Sequence, residues 1–319
     1  STVAMVMSGG CLIQLDRFHP RTWWQSVRES RATIVHYLGV MPAMLLNMPP
    51  GDDDFSSQVS FGFGAGVNPK HHAAFEARFG FPLIEAWGMT ETGNEGAIIA
   101  NLEPRHVGTC CFGKTPEHLE IMLVDEQGHE VQEGEPGELL VRHLGEEPRK
   151  GFFSGYLKNP DATAEAWENG WFHTGDVVRR QPDGTLCFVD RRKNVIRRSG
   201  ENISALEVEA VLSEIPEIAM PVVCPVPDDV RGDEVMACII PAPGAATDAE
   251  AANAIVTRAL ETLVYFKVPG YIGFYDELPL TASEKPKRAE IKALAAQSLA
   301  QGGLHDTRHL KKRQVDKSA

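Results

Sequence analysis

Short apolar blocks of two different periods alternate along the first hundred residues. "PRTWWQSVRES" at 20–30 spaces its apolar residues as a helix does, with Pro20 in the first turn. "ATIVHYLGV" is β-branched and reads as a strand, and "MPAMLLNM" as a short apolar helix. "QVSFGFGAGV" predicts a strand entering a glycine turn. "NPKHHAAFEARFG" predicts a helix with Asn68 as cap, Pro69 in its first position and Gly80 as stop. "FPLIEAW" then predicts a buried strand. Strand–helix alternation of this kind implies α/β layers. The opening "STVAMVMSGGCLIQL" reads as the middle of a buried helix and strand, as if the chain were cut into a domain.

From about residue 106 the pattern turns to strands alone. "EIMLVDEQGHEV", "GELLVR" and "TLCFVDRR" are joined by glycine and aspartate turns, as in an antiparallel region. A second mixed pattern follows residue 192. "SALEVEAVLSEIP" carries Ser204 with Glu207 three positions on, a capping box. "AMPVVCPVP", "EVMACIIPA" and "GYIGFYDELP" are strands, and "TDAEAANAIVTRALETL" is a helix. The expected domains are therefore 1–192 and 193–300, with 301–319 as a solvated tail.

Composition narrows the function. Across 319 residues the formal net charge is −13, which disfavours nucleic acid and anionic membrane as partners. No apolar run is long enough to span a membrane. Six scattered cysteines without a CxxC pair suit buried thiols in a reducing, cytoplasmic setting. Against this acidic background, "DRRKNVIRRSGEN" at 190–202 gathers Arg191, Arg192, Lys193, Arg197 and Arg198. A solvated loop, a nucleic-acid patch and a phosphate-bearing small molecule are the three readings of that run.

Three stretches carry candidate chemistry. "EAWGMTETG" at 85–93 follows a strand and offers an aromatic face at Trp87, a close-approach glycine at Gly88, a hydroxyl at Thr90 and a hard oxygen ligand for Mg²⁺ at Glu91. "GWFHTGD" at 170–176 puts Asp176 in a glycine turn, where a carboxylate could accept from a ribose. "PLTASEKPKR" at 279–288 puts Lys285, a flexible point charge, ahead of a helix. Taken singly, each is better explained by an ordinary turn or a surface lysine. "GDDDF" at 51–55 reads as an acidic surface loop, His71–His72 lacks a third ligand, and Trp23–Trp24 reads as packing.

Taken in order, "WGMTE", "GELLVR", "GYLKNPDAT", "GWFHTGD", "DRRKNVIRRSGENIS" and "LPLTASEKPKR" resemble the motifs of the AMP-forming acyl-CoA synthetases. These belong to the adenylate-forming (ANL) superfamily, with luciferase and the adenylation domains of peptide synthetases. The resemblance covers roughly residues 1–300 and is nearest the crotonobetaine/carnitine–CoA ligase group. It implies part of a large domain, α/β layers plus a β-barrel region, and a small mobile α+β domain. It also implies ATP or AMP, Mg²⁺ and CoA as ligands, with a small carboxylic acid as substrate.

Residue by residue, the resemblance makes Thr90 a phosphate contact and Glu91 the Mg²⁺ ligand. Trp87 stands where an aromatic stacks near adenine, in the segment that continues through Gly88 and Met89. Gly64, Ala65 and Gly66 form the small-residue turn beside the adenine and acyl pockets. Asp176 would bind ribose with Arg191. Lys285 would bridge carboxylate and phosphate during adenylation, although Glu284 and Pro286 flank it where glycine and an aliphatic residue are usual. Lys193 would be the hinge of the mobile domain. Gly200 would line the pantetheine tunnel, and Arg197 and Arg198 remain open between CoA phosphates and solvent. The family's Ser/Thr/Gly-rich phosphate loop is absent, so the chain reads as the C-terminal three-fifths of a longer enzyme that alone would adenylate poorly. Transfer to a carrier protein, luciferase-like oxidation and a non-catalytic remnant are the alternatives.

Overall fold

The computed structural model describes residues 2–51, 54, 58–93, 95–281 and 285–312, and the chain forms two compact units, Ser1–Phe188 and Val189–Ala319. The expected boundary at 192/193 lies four residues further on.

In the first unit, helices α1 (Thr2–Met7) and α2 (Trp23–Glu29) precede β1 (Ile34–Leu38), α3 (Val40–Leu46), β2 (Phe61–Ala65), α4 (Pro69–Phe79), β3 (Leu83–Trp87) and β4 (Ile98–Ile99). β1, β2 and β3 are parallel and adjacent in that order, and β4 pairs antiparallel with β3. Helix α4 forms as its sequence dictates: the Asn68 side chain accepts from the Lys70 N–H, Pro69 occupies the first turn, and Gly80 ends it at φ 78°. Phe75, Phe79, Phe81 and Leu83 bury its inner face against the sheet. The tryptophan pair packs as expected, Trp24 with its ring 4.6 Å from Phe79 and Trp23 5.3 Å from Phe18. Two expectations need correction. Pro20 lies in the turn ahead of α2 rather than inside it, and α1 is exposed at Val3, Val6 and Met7 instead of buried.

The second sheet uses β5 (Cys111–Gly113), β6 (Leu119–Val124), β7 (Pro136–His143), β8 (Phe172–Arg180) and β9 (Leu186–Arg191), whose last three residues belong to the second unit, with α5 (Pro160–Ala166) before β8. Their order is β5-β9-β8-β7-β6, an open sheet among the described residues where a barrel was expected. The edge strand β5 is three residues long with a register shift, which leaves little backbone to close a ring. Strand β8 is one of the elements that pattern reading missed. Asp176 sits within it rather than in a turn, because Gly175 at φ 68° forms a bulge where the register with β7 shifts between Glu138 and Leu140.

The second unit contains β10 (Ile196–Arg198), β11 (Glu201–Ile203), α6 (Ala205–Leu212), β12 (Ile218–Asp228), β13 (Gly232–Pro241), α7 (Ala249–Ala259), β14 (Tyr271–Phe274), α8 (Arg288–Gln301) and β15 (His305–Asp306). Only the β13–β14 pair of its sheet is parallel, the α+β arrangement expected. Alternation along β13 sends Val235, Ala237 and Ile239 toward α6 and α7, and Met236 and Cys238 toward α8. Ser204 caps α6 by accepting from the Glu207 N–H, but Glu207 itself pairs with Lys267 instead of closing the box.

Within the expected solvated tail, residues 305–312 are folded. Residues 305–306 pair with β14, the Thr307 hydroxyl donates to Pro269 O at 2.9 Å, and Lys311 is buried against Glu234. A fully buried carboxylate draws this lysine in, which a run of charges cannot reveal. The same carboxylate takes Arg198, 2.8 Å away and 4% exposed, so Arg198 belongs to neither of its expected settings. All six cysteines are free thiols; Cys111, Cys187, Cys224 and Cys238 are buried and Cys11 is exposed.

Candidate functional site

The parallel strands β1, β2 and β3 end at a common edge of their sheet. Leu38 is opposite Ala65, and Gly64 is opposite Glu85, so the segments that follow each strand lie side by side. In open parallel sheets this carboxyl edge is where ligands bind, because loops there can open apart while the strands hold them. Two of the three small residues of the Gly64–Ala65–Gly66 turn, Ala65 and Gly66, are exposed, and so are Gly88 and Thr90 from the segment after β3.

Glycines in the turn have steric reasons. A Cβ on Gly64 would meet Tyr37 O at 2.2 Å and the Tyr37 ring at 2.8 Å. Gly66 takes φ 77°. The carboxylate of Glu85, 5% exposed, holds the turn from below: Oε2 accepts from the Gly66 N–H at 2.8 Å, and Oε1 accepts from the Val67 N–H at 3.0 Å and the Tyr37 hydroxyl at 2.9 Å. Burial raises the Glu85 pKa and those hydrogen bonds work against the rise. Glu85 heads the quoted "EAWGMTETG" stretch, yet nothing in the pattern marked it.

The Trp87–Glu91 segment is braced at its base. Thr92, fully buried, caps the turn: its Oγ1 accepts from the Met89 N–H at 3.1 Å and lies 3.2 Å from Met89 O. Glu91 O accepts from the Phe153 N–H at 2.8 Å, and Glu91 Oε1 accepts from the Tyr156 hydroxyl at 3.1 Å. Burial, with that carboxylate beside it, raises the Tyr156 pKa and keeps the hydroxyl a donor. The second carboxylate oxygen of Glu91 is the candidate Mg²⁺ ligand. Among the described residues no three His, Cys, Asp or Glu side chains form a metal group. A single carboxylate nevertheless suits a cation held chiefly by substrate phosphates.

Trp87 is held within the fold. It is buried at 6% exposure beside Phe112, and its indole N–H donates to Asp176 Oδ2 at 2.9 Å. The structure thus joins two residues 89 positions apart that sequence reading had placed separately at one ligand. Trp87 orients the Asp176 carboxylate, which is itself buried at 3% exposure.

The remaining candidates lie in the second unit. Arg191 is exposed at the end of β9, and Lys193 is exposed in a single 3₁₀ turn, Arg192–Asn194, just past the boundary between the units. The neighbouring Asp190, fully buried, accepts from the Ser204 hydroxyl at 2.8 Å, the Arg191 N–H at 2.7 Å and the Leu206 N–H at 3.2 Å. Gly200 is explained by its turn: Ser199 at φ 52° and Gly200 at φ 86° join β10 to β11 as a two-residue hairpin. Lys285 is exposed at the base of a loop closed by Thr281 N–H to Lys285 O at 2.8 Å and by a bridge between Leu280 and Pro286. Glu284 lies outside the described residues. Arg288, at the start of α8, fastens this loop's exit to Glu209 at 2.6 Å and to Val223 O at 3.2 Å. No helix among the described residues is long and apolar enough to cross a membrane.

Residues 1–157 match the AMP-binding enzyme family, and residues 207–285 match the AMP-binding enzyme C-terminal domain. Crotonobetaine/carnitine–CoA ligases of Salmonella arizonae and Citrobacter koseri are each 31% identical over 296 residues, covering 92% of this chain and 55% of the ligase. The chain therefore spans about half the length of those relatives. Among solved structures, o-succinylbenzoate CoA synthetase from Bacillus subtilis, in complex with the acyl-adenylate OSB-AMP, superposes with a TM-score of 0.76 at 25% identity. That match covers 91% of this chain and 57% of the other. ATP-bound MatB from Rhodopseudomonas palustris shares the fold at a TM-score of 0.75 and 22% identity, covering 92% of this chain and 57% of its own.

Proposed function

The chain belongs to the AMP-binding enzyme family, and from that premise we propose that it is part of an AMP-forming acyl-CoA ligase. Its reaction would join a small carboxylic acid to CoA at the expense of ATP, in the cytoplasm. The observation that carries this reading is the carboxyl edge of β1–β3. There the Gly64–Gly66 turn and the Trp87–Glu91 segment are neighbours, and Trp87 is bonded to Asp176.

In the proposed first step the substrate carboxylate attacks the α-phosphorus of ATP, and pyrophosphate leaves. Asp176 would accept from ribose hydroxyls, held for that task by the Trp87 N–H. Thr90 would donate to the phosphate. Glu91 would hold Mg²⁺, which when bound offsets phosphate charge. Lys285 would neutralise charge on carboxylate and phosphate together as both approach the transition state. In the second step the CoA thiol attacks the acyl carbon, giving thioester and AMP. Lys193 would be the hinge that exchanges the Lys285 loop for the hairpin bearing Gly200, with Arg191 serving the nucleotide.

The test supplies the full-length protein with ATP, Mg²⁺ and a panel of carboxylic acids, including crotonobetaine, carnitine and medium-chain acids. Mass spectrometry follows AMP and thioester with and without CoA. CoA-dependent thioester is the expected result. Acyl-adenylate that accumulates and ignores CoA would move the function to another acceptor. No AMP with any acid would overturn the reading.

A further inference from the structure

Glu85 is a buried carboxylate for which the proposed chemistry has no use. Its surroundings are unusual for a residue that only fills a core. A neutral side chain would satisfy a single backbone N–H at far lower desolvation cost than a charge. Here both oxygens are committed to donors, and two of the three are consecutive backbone amides of one turn, Gly66 and Val67. The third, the Tyr37 hydroxyl, comes from β1 and shares Oε1 at 2.9 Å.

The turn is fixed on its other side as well. A Cβ on Gly39 would meet Gly66 O at 1.9 Å, so the start of α3 lies against the Gly66 carbonyl. Glu85 thus holds the amide side of the turn and Gly39 limits the carbonyl side. Between them the exposed Ala65 and Gly66 have little freedom to move.

Only a carboxylate satisfies this geometry. All three partners donate, so the residue at 85 must accept at both terminal atoms. Glutamine has nearly the same shape but offers one oxygen and one NH₂. Whichever way it is turned, an NH₂ faces a donor, and the Gly66 or Val67 amide must swing away.

We propose that Glu85 is a positioning residue that sets the 64–67 turn as a preformed wall of the adenylate site. The inference rests on the reading of the site as one for an acyl-adenylate. Pre-organisation of this kind lowers the ordering cost paid on binding, so its loss weakens affinity even where no ligand contact is deleted.

The experiment uses the full-length protein, with AMP as the probe. Hydrogen exchange of the wild type is followed at residues 64–67 with and without AMP, and AMP affinity is measured by calorimetry for wild type, Glu85→Gln and Tyr37→Phe. AMP should slow exchange at Gly66 and Val67. Glu85→Gln should exchange faster there without AMP and bind AMP roughly tenfold more weakly, the effect of leaving one buried donor unmet. Tyr37→Phe removes one hydrogen bond but keeps both amide bonds, and should bind within about threefold of wild type. Wild-type exchange at 64–67 that ignores bound AMP would overturn the inference without recourse to any variant. So would equal AMP affinity in Glu85→Gln and wild type, or an equal loss in both variants. Wild type that binds no AMP at all would instead remove the adenylate reading, and the inference with it.

Discussion

Glu76→Gln should destabilise the first unit in a way that depends on pH. The Glu76 carboxylate ties α4 to β3 and to the segment before β5. It accepts from the Leu83 N–H at 2.8 Å and from both Arg105 terminal nitrogens, at 2.7 and 3.1 Å. It also accepts from His72 Nε2 at 3.1 Å. The Gly108 N–H points at His72 Nδ1, 3.3 Å away, which places the ring proton on Nε2 as a donor. Burial alone would raise the Glu76 pKa, but the His72, Arg105 and Leu83 hydrogen bonds outweigh it and hold the group at about 2, against an ordinary 4.5. Its side chain is 19% exposed, so solvent screens the pairing little.

A carboxyl lowered by that much adds about 3 kcal/mol of stability at neutral pH. The sign follows from the direction. A depressed carboxyl contributes fully above its unfolded pKa and loses the contribution as pH falls toward the folded one. At about pH 3 less than half should remain, roughly 1.5 kcal/mol. Glutamine does not titrate, so the stability gap between wild type and Glu76→Gln should narrow by about 2 kcal/mol from pH 7 to about pH 3. Arg105 keeps Glu103 at 2.9 Å in the variant, which limits any further cost of an orphaned guanidinium. Urea titrations at the two pH values, read by the fluorescence of Trp24 packed on Phe79, measure the gap. A gap that stays constant would refute the argument, since Glu76 would then not be the group whose ionisation stabilises the fold.

Three further outcomes are expected. Trp87→Phe deletes the 2.9 Å donor to buried Asp176, and should lower stability by about 1–3 kcal/mol and weaken AMP binding, read by urea titration and calorimetry. Gly200→Ala places a Cβ where nothing lies within 4 Å, so its stability cost is backbone strain of about 1–2 kcal/mol. If the glycine serves the CoA step, pyrophosphate exchange should persist in that variant while thioester formation falls; equal loss in both assays would count against it. Lys285→Ala changes an exposed side chain, and should leave stability within about 0.5 kcal/mol while cutting pyrophosphate exchange by about two orders of magnitude.

What could be read from the sequence was whatever depends on neighbours in the chain. Helix α4 announces itself through Asn68, Pro69 and Gly80, because capping and φ are local properties. Strand β13 is equally plain, since both of its faces are buried by elements of one small unit and it therefore reads as one apolar run. The failures share a different cause. Strand β8 was read as a glycine turn because a bulge and a turn use the same residue, and only the partner strand β7 tells them apart. Neither Arg198, open between CoA phosphates and solvent, nor Lys311, in the expected tail, shows its burial in the sequence, because the carboxylate that buries both, Glu234, is 36 and 77 positions away. Motif order brought Trp87 and Asp176 to the same ligand, but not to each other. An indole N–H has no periodicity to betray its partner, and the two meet only because the fold brings the end of β3, in one sheet, to β8, in another. Glu85 is the sharpest instance of this limit. Inside the strand "FPLIEAW" it looks like any other polar residue, and its importance resides in three donors that the chain delivers from β1 and from the turn after β2. Residues that touch a ligand can be recognised by their type and order. Residues that hold those residues still are defined by geometry alone, and so the positioning shell is the part of a site that a sequence conceals.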